Sequence, residues 1–212
     1  MTDTRRRLID GAIETLRTRG IAGISARSIA AAAGVNQALV FYHFGTVDGL
    51  LDAACRESTA ARVELYRDRL AAVGSLRELL ALGRELNIAE REAGNVAVLA
   101  QVLAGAQQDA ALAATARESL RLWVAEVAAA LDRVLAGSPV SELTSTSQLA
   151  PAVAAAFIGI ELYEGVDAGA AAGALEAIES LAVLAEVLDD LGSVGRAALR
   201  VRLRRLRAES RD

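Results

Sequence analysis

The feature that most constrains this chain is a single glycine that separates two short apolar segments near the N-terminus. The first segment begins at Ser25, a residue type that caps helix N-termini, and it ends at Ala33. Gly34 follows, and glycine readily adopts the left-handed conformation that ends a helix and turns the chain. Asn36 then caps a second short helix. This pattern predicts either a helix-turn-helix, whose second helix enters the DNA major groove, or a helical hairpin without a DNA role.

The residues after this turn favour the helix-turn-helix over the helical hairpin. The second segment closes with the aromatic run Tyr42-His43-Phe44, Thr46 follows at a helix-capping position, and a leucine pair stands at 50–51. This arrangement resembles the DNA-binding domain of TetR-family transcriptional repressors. The resemblance implies an all-α fold with an N-terminal three-helix helix-turn-helix DNA-binding domain, residues 1–46. A C-terminal helical ligand-binding and dimerisation domain, residues 47–212, completes the implied architecture.

Two positions depart from the pattern of that family. The family's usual lysine at the start of helix 4 is Val47 here, and the usual first tyrosine of the recognition helix is Phe41. We therefore expect one phosphate contact and one hydroxyl contact to be missing.

The resemblance also assigns DNA contacts to individual residues. Arg27 and Gln37 occupy positions that read base edges, and their chemistry agrees, because Arg pairs with guanine O6/N7 and Gln with adenine N6/N7. Alanine and leucine in the second helix are expected to contact thymine methyl groups, and the hydroxyl and imidazole groups are candidates for phosphate contacts. The full predicted set is Ser25, Arg27, Asn36, Gln37, Ala38, Leu39, Tyr42, His43 and Thr46. For Tyr42 and His43, packing within the domain is the alternative.

The distribution of charge agrees with a polyanionic partner at the N-terminus. Residues 1–47 carry six arginines against three acids, whereas residues 48–195 carry ten arginines against 22 acids, and residues 196–212 carry seven against two. An acidic middle between two basic ends suits a protein whose N-terminal face meets nucleic acid. The run Arg5-Arg6-Arg7 is expected either to contact phosphates or the minor groove, or to form a solvated face.

Residue usage argues against several classes of enzyme. His43 is the only histidine and Cys55 the only cysteine, so the chain lacks the clusters of a zinc site, the histidine pair of most triads and any intrachain disulfide. Neither a Walker A nor a dinucleotide-binding glycine pattern is present. We therefore predict a protein that is not an enzyme and holds neither metal nor cofactor.

The remainder of the chain predicts a long series of helices. Only two prolines occur, and apolar residues recur at intervals of three and four. Helices 4 to 9 are predicted at 47–73, 76–88, 96–107, 110–135, 148–164 and 174–191, with a loop or weak helix junction at 90–95 and breaks at 137–147 and 165–173. Helices 8 and 9 are rich in aliphatic and small residues, and the family resemblance implies that such late helices form a homodimer, which a helix-turn-helix needs to bind two half-sites.

The partners expected from the resemblance are double-stranded operator DNA and a small-molecule effector. Because aromatic residues are few and aliphatic residues are plentiful, the effector pocket is predicted to be apolar and the effector hydrophobic. Candidate ligand-binding residues are Gln101, Trp123, Glu126, Phe157 and Glu161. Core packing is the alternative for the two aromatic residues, and a surface position for the polar ones.

The C-terminal segment allows a competing function. Residues 194–207 are predicted to form a basic amphipathic tenth helix, which either packs on acidic parts of the chain or contacts an anionic surface. A helical membrane-associated or adaptor protein without specific DNA binding is therefore the alternative to a regulator. Because neither a signal peptide nor a membrane-length apolar run is visible, a cytoplasmic location is expected.

Overall fold

The structure, a computed structural model, describes residues 3–189, 191–192, 194–195, 197–199 and 201–203. These residues form nine α-helices up to residue 189 and contain no strand, which confirms the predicted all-α class. The helices are α1 (Asp3–Arg19), α2 (Ala26–Ala33), α3 (Ala38–Phe44), α4 (Val47–Ala72), α5 (Leu76–Glu92), α6 (Asn95–Ala106), α7 (Ala110–Val134), α8 (Thr146–Glu164) and α9 (Ala168–Asp189). Short 3-10 turns lie at Ile21–Gly23 and Pro139–Glu142.

Three helix ends differ from the sequence-based expectation. The polar residues at 90–92, predicted to begin a break, extend α5 to Glu92 because Glu90 is held by ion pairing with Arg62 of α4. The predicted break at 165–173 is shorter, since α9 already begins at Ala168, where the Asp167 carboxylate accepts the Ala170 N–H at 2.9 Å. Such side-chain capping compensates for the two glycines that the first turns of α9 contain.

The start of α8 also differs. Because α8 begins at Thr146, Pro151 is its sixth residue and lies inside the helix, beyond the first turn. A proline there removes one intrahelical hydrogen bond. Beyond α9, the described residues at 194–195, 197–199 and 201–203 are helical, while the rest of the predicted tenth helix, including 204–207, lies outside the described residues.

Contacts between residues divide the chain into two compact units. The first comprises the described residues up to Leu65 together with Ile88–Leu122, and the second comprises Tyr66–Asn87 and the described residues from Trp123 onward. These units are defined by packing, so the functional boundary between residues 46 and 47 remains a prediction.

The first unit has two adjoining apolar clusters. Leu8 and Ala12 of α1 pack with Ile29, Val40 and Leu50, all of them almost completely buried. Leu8 and Ala12 lie four positions apart, so they face the same side of α1. The second cluster joins α1 and α4 to α6 and α7, and it consists of Leu16, Leu51, Cys55, Val102, Leu112 and Ala116.

Close packing of α1 against α2 depends on one glycine. A Cβ atom at Gly11 would lie 3.0 Å from the Ala33 Cβ and 3.0 Å from the Ile29 carbonyl oxygen. Any larger residue at position 11 would therefore push α2 away from α1.

The second unit has a single large apolar cluster. Tyr66 and Leu70 of α4 pack with Leu79, Leu82 and Leu86 of α5. The remaining buried members are Val73, Ala130, Leu131, Leu135 and Ala150. Within the described part of the chain, no helix is long and apolar enough to cross a membrane.

Candidate nucleic-acid interface

Reciprocal hydrogen bonds fix the start of α2. The Ser25 hydroxyl oxygen accepts the Ser28 backbone N–H at 3.1 Å, and the Ser28 hydroxyl oxygen accepts the Ser25 N–H at 2.9 Å. This capping box satisfies two amide groups that would otherwise lack a partner. It holds the helix so that Arg27, in the first turn, is exposed.

The turn between α2 and α3 has the left-handed conformation that the glycine predicts. Gly34 has φ +63° and ψ 39°, and the Val35 N–H donates to the Ala30 carbonyl oxygen at 2.9 Å. The Arg7 guanidinium donates to the carbonyl oxygens of Ala33 at 2.7 Å and Gly34 at 2.9 Å. A cation at these carbonyl groups satisfies acceptors at the C-terminal end of α2 and favours its dipole.

Gln37, and not the predicted Asn36, occupies the N-cap position of α3, and it makes no side-chain capping bond. The Asn36 side chain nevertheless binds an N–H group at the start of this helix. Its Oδ1 accepts the Ala38 N–H at 2.9 Å, while the helix itself begins at Ala38. Within α3, Val40 is completely buried in the first unit's core. Gln37 and Ala38 are exposed, and so is Tyr42 one turn further along. The recognition helix therefore has one core-facing side and one polar, accessible side.

The aromatic end of α3 divides into exposed and partly buried residues. Tyr42 is 81% exposed, and its ring makes an edge contact with His43 at 4.9 Å between centroids. His43 and Phe44 are half-buried, which places them at the edge of the domain core. Thr46, the predicted cap of helix 4, accepts the Gly49 N–H at 2.9 Å through its hydroxyl oxygen. That hydrogen bond fixes the start of α4 directly after the recognition helix.

The three arginines of the run Arg5-Arg6-Arg7 differ in their partners, since two bind within the domain and one faces solvent. Arg5 donates two hydrogen bonds to Glu57 of α4, at 2.5 and 3.1 Å, and its guanidinium lies 5.1 Å from the Phe44 ring centroid. The hydrogen bond with Arg5 holds the pKa of the Glu57 carboxyl below its usual range. Arg6 is exposed, with a long ion pair to Asp10 at 3.9 Å. Because Arg5 and Arg7 bind within the domain, Arg6 alone of the three fits the predicted solvated or phosphate-facing position.

All nine predicted DNA-binding residues fall within one continuous segment that runs from the cap of α2 to the cap of α4. Seven are exposed, and Leu39 and His43 are half-buried. Arg27 and Gln37 make no side-chain hydrogen bond to any residue that the structure describes, whereas the side-chain oxygens of Ser25, Asn36 and Thr46 already bind N–H groups at the starts of helices. The DNA-contact assignments themselves remain predictions.

The sequence-based reasoning did not assign Arg7 or Arg5 as residues that hold the helix-turn-helix together. The partners of Arg7 are backbone carbonyl groups 26 and 27 positions away, and Glu57 is 52 positions from Arg5. A local pattern carries no signal for such long-range pairs. The arginine-rich run indicated only a local concentration of positive charge and did not identify the partner of each arginine.

The predicted ligand-binding residues are distributed over both units. Gln101 of α6 lies in the first unit, where its side-chain oxygen accepts the Ile21 N–H at 3.1 Å. In the second unit, the Trp123 ring lies 6.1 Å from that of Tyr66, and Glu126 binds Arg67 at 3.1 Å.

The other two candidates also lie in the second unit. Phe157 lies against Gly83, and Glu161 is 4% exposed, so it is buried and not at the surface. The ligand-binding role of all five residues remains a prediction. Among the described residues, no group of three or more potential metal ligands occurs.

The fold and this segment define a class of protein, an all-α protein that carries a helix-turn-helix at its N-terminus. Residues 8–54 match the family model described as bacterial regulatory proteins, tetR family. An alignment of 79 residues is 37% identical to the HTH-type transcriptional regulator BetI of Brucella anthropi. It covers 32% of this chain and 41% of that protein, so the match spans about two fifths of the curated relative's length.

Solved structures resemble a larger share of the chain. A TetR-family member from Streptomyces coelicolor is 26% identical, with a TM-score of 0.63, and the match covers 85% of this chain and 99% of that one. The multidrug binding protein EbrR, complexed with imidazole, is 28% identical with a TM-score of 0.62, over 86% of this chain and 91% of that one. A TetR-family regulator from Rhodococcus sp., 24% identical with a TM-score of 0.70 over 86% and 100%, shares the fold.

These comparisons show that residues 8–54 are similar to the N-terminal part of tetR-family regulatory proteins, and that the chain has the fold of solved TetR-family structures. The alternative of a membrane-associated or adaptor protein finds no support among them.

Proposed function

We propose that this chain is a repressor that binds a palindromic operator as a homodimer and leaves it when a small hydrophobic effector binds. The observation that carries the DNA-binding part is the position of Arg27 and Gln37. Both are exposed on the helix-turn-helix, and neither side chain is bound to a described residue, so both are free to reach base edges. Arg and Gln are suited to bidentate contacts with guanine and adenine respectively.

The first test replaces Arg27 with alanine. Arg27 is exposed, so the variant should fold, but its affinity for a fragment of the gene's own upstream region should fall by about 1–3 kcal/mol. Arg117→Ala is the matched control, because it removes the same charge from an exposed position on α7, outside the helix-turn-helix. Equal affinity of the Arg27 and Arg117 variants in a gel-shift titration at one salt concentration would refute the assignment.

Homodimerisation through α8 and α9 is supported by the apolar residues that these helices expose. Tyr163 is 52% exposed, Leu181 66% and Val187 55%, with further exposed members at Leu162 and Val183. A stable dimer typically buries about 1,200–2,000 Å² in total, and aliphatic side chains suit the centre of such an interface.

The dimer test places a charge in this surface. Leu181→Asp should give folded monomers that bind the operator far more weakly, since an unpaired charge in an interface loses hydration without compensation. Leu65→Asp is the control, because Leu65 is similarly exposed, at 63%, but lies on α4. If sedimentation shows that the Leu181 variant is still dimeric, or that both variants dissociate equally, α8 and α9 are not the interface.

An effector that binds in the second unit is supported by the aromatic residues there and by a relative. EbrR is described as a multidrug binding protein and has a structure with proflavin. Trp123 is the only tryptophan of the chain, so its fluorescence reports on this unit alone. We expect proflavin to quench Trp123 and to release operator DNA over the same concentration range. Release without quenching, or quenching without release, would argue against an effector site that includes Trp123, Phe157, Glu126 and Glu161.

A further inference from the structure

The first unit contains a cleft of about 550 Å³ to which none of the assignments above gives a small-molecule ligand. It lies where the 3-10 turn Ile21–Gly23, the recognition helix α3 and the first turns of α4 and α7 come together. Its apolar wall is formed mainly by Ile24, Phe41, Val47 and Leu112. Clefts that bind small molecules typically have volumes of about 300–1,000 Å³. This cleft therefore has room for a small organic molecule.

The charged residues that line this cleft are all acidic. Asp48, in the first turn of α4, makes no ion pair or hydrogen bond with any described residue. The Asp109 carboxylate accepts the N–H groups of Ala111 at 2.8 Å and Leu112 at 3.1 Å, which are neutral donors. No lysine, arginine or histidine belongs to the lining.

The neighbouring carboxylate of Asp52, which does not line the cleft, has polar and charged partners. Asp52 lies one turn beyond Asp48 on α4, accepts a hydrogen bond from Thr115 at 2.9 Å and is paired with Arg56 at 3.3 Å. Asp52 therefore has a cationic partner, whereas Asp48 and Asp109 have none among the described residues and are offset only by the helix N-termini at which they lie. The cleft consequently combines apolar walls with two carboxylates that lack a counter-charge.

We propose that this cleft binds a small organic cation with an apolar body, such as an arylalkylammonium ion. The ammonium group would lie between Asp48 and Asp109, and the apolar body would pack on Phe41, Ile24 and Leu112. Two alternatives fit less well. An organic anion would meet like charges, and a hydrated metal ion would gain nothing from the apolar wall.

The site differs from the effector site proposed for the second unit. Its lining includes Phe41 of α3 and both Ser25 and Ala26 at the start of α2, so a bound cation contacts the two helices of the helix-turn-helix directly. Because binding to the cleft is measured without DNA, the outcome does not depend on whether the chain is a repressor.

The test uses isothermal titration of the full chain with 2-phenylethylammonium, 2-phenylethanol and 3-phenylpropionate, which share a phenylethyl body and differ in charge. We expect the ammonium ion to bind most tightly and to weaken as salt is added. Asp48→Asn and Asp109→Asn should each weaken its binding about two- to fivefold, since partly exposed ion pairs contribute modestly. Asparagine retains helix-capping ability at position 109, so this variant should keep the start of α7 intact.

Two further variants test whether the ammonium ion binds in this cleft and not elsewhere on the chain. Ala111→Phe fills the cleft from α7 and should abolish binding, with circular dichroism confirming that the variant is folded. Asp132→Asn removes an exposed carboxylate from the same helix but outside the cleft, and it should leave the dissociation constant unchanged. The proposal is overturned if the alcohol or the carboxylate binds as tightly as the ammonium ion. It is also overturned if Asp132→Asn has the same effect as Asp48→Asn, or if the folded Ala111→Phe variant still binds.

Discussion

The helix-turn-helix and the pair of helices α8 and α9 are stabilised by different means. In the helix-turn-helix, which we define as residues 25–49, each helix end is fixed by a side-chain cap or a left-handed glycine, and Val40 is completely buried. In α8 and α9, buried residues are few, and large apolar residues such as Leu181 are exposed. The first region specifies its own conformation, whereas the second exposes apolar surface that the proposed dimer would bury.

This difference explains where a substitution should act. The capping and core side chains of the helix-turn-helix bind or pack against other atoms of the same unit, so their loss should unfold or distort this region. Exposed apolar residues of α9 contribute little to the fold of one chain, so their loss should act on assembly. The following predictions test this contrast, beginning with the largest expected effect.

The Cys55 thiol should be strongly protected from alkylation by its burial in the first unit. Burial raises the pKa of Cys55 to about 12, with a further contribution from the Asp52 carboxylate. Since the thiolate is the reactive form, alkylation by iodoacetamide at pH 8 should be at least about 1,000-fold slower in the native protein than in the unfolded protein. Mass spectrometry of the time course measures both rates. A native rate within tenfold of the unfolded rate would mean that this core opens readily.

Truncation of an apolar side chain should lower the free energy of unfolding more in the core of the first unit than in α9. Leu50 is completely buried in the first unit, so Leu50→Ala should lower the free energy of unfolding by about 2–5 kcal/mol. Leu181→Ala, at a position that is 66% exposed, should lower it by less than about 1 kcal/mol at a low, fixed protein concentration. Denaturant unfolding followed by circular dichroism gives both values, and similar losses in the two variants would contradict the contrast.

The parts of the helix-turn-helix that the sequence predicted depend on neighbours in the chain. The caps at Ser25 and Thr46 and the left-handed Gly34 all form with partners within a few residues, so residue type and spacing are sufficient to identify them. The all-α class follows in the same way from periodic apolar residues.

Features that depend on distant partners were not predictable. The break predicted at 90–95 is shortened to Ala93–Gly94, and α5 continues to Glu92, because Arg62 of α4 holds Glu90 from 28 positions away. The Gln101 side chain accepts the Ile21 N–H across 80 positions, a contact that the local sequence does not indicate. The acidic cleft could not be predicted either, because Asp48 and Asp109 line it together only in the folded chain.

The same glycine-to-alanine change should have opposite signs in the two regions. Gly34 has φ +63°, and a Cβ there would lie 3.0 Å from the Arg7 guanidinium, so Gly34→Ala should cost about 1–2 kcal/mol of unfolding free energy. Gly173 lies inside α9 with open space around it, so Gly173→Ala should stabilise the protein by about 0.5–1 kcal/mol. Thermal unfolding of both variants checks this, and destabilisation by Gly173→Ala would show that its surface is covered.

The smallest effect concerns the Arg5–Glu57 ion pair and its dependence on pH. The hydrogen bond with Arg5 holds the pKa of Glu57 below its ordinary value of 4.5, so the unfolded state binds a proton at Glu57 more readily than the native state does. The stabilisation is therefore fully present above about pH 4.5 and is lost as the pH falls through the lower native pKa. Because both side chains are about one third exposed, at 29% and 35%, the contribution should be no more than about 1 kcal/mol.

Glu57→Gln tests whether the stabilisation from the Arg5–Glu57 pair is lost as the pH falls. The difference in unfolding free energy between the wild type and the variant should be present at pH 6 and should shrink as the pH falls below about 4.5. Glu179→Gln is the comparison from the second unit, because Glu179 pairs with Arg84 at 2.7 Å but both side chains are more exposed, at 37% and 47%. Its effect at pH 6 should be smaller, since water screens the pair more fully. A difference between wild type and Glu57→Gln that grows as the solution is acidified would refute the assigned role of Arg5.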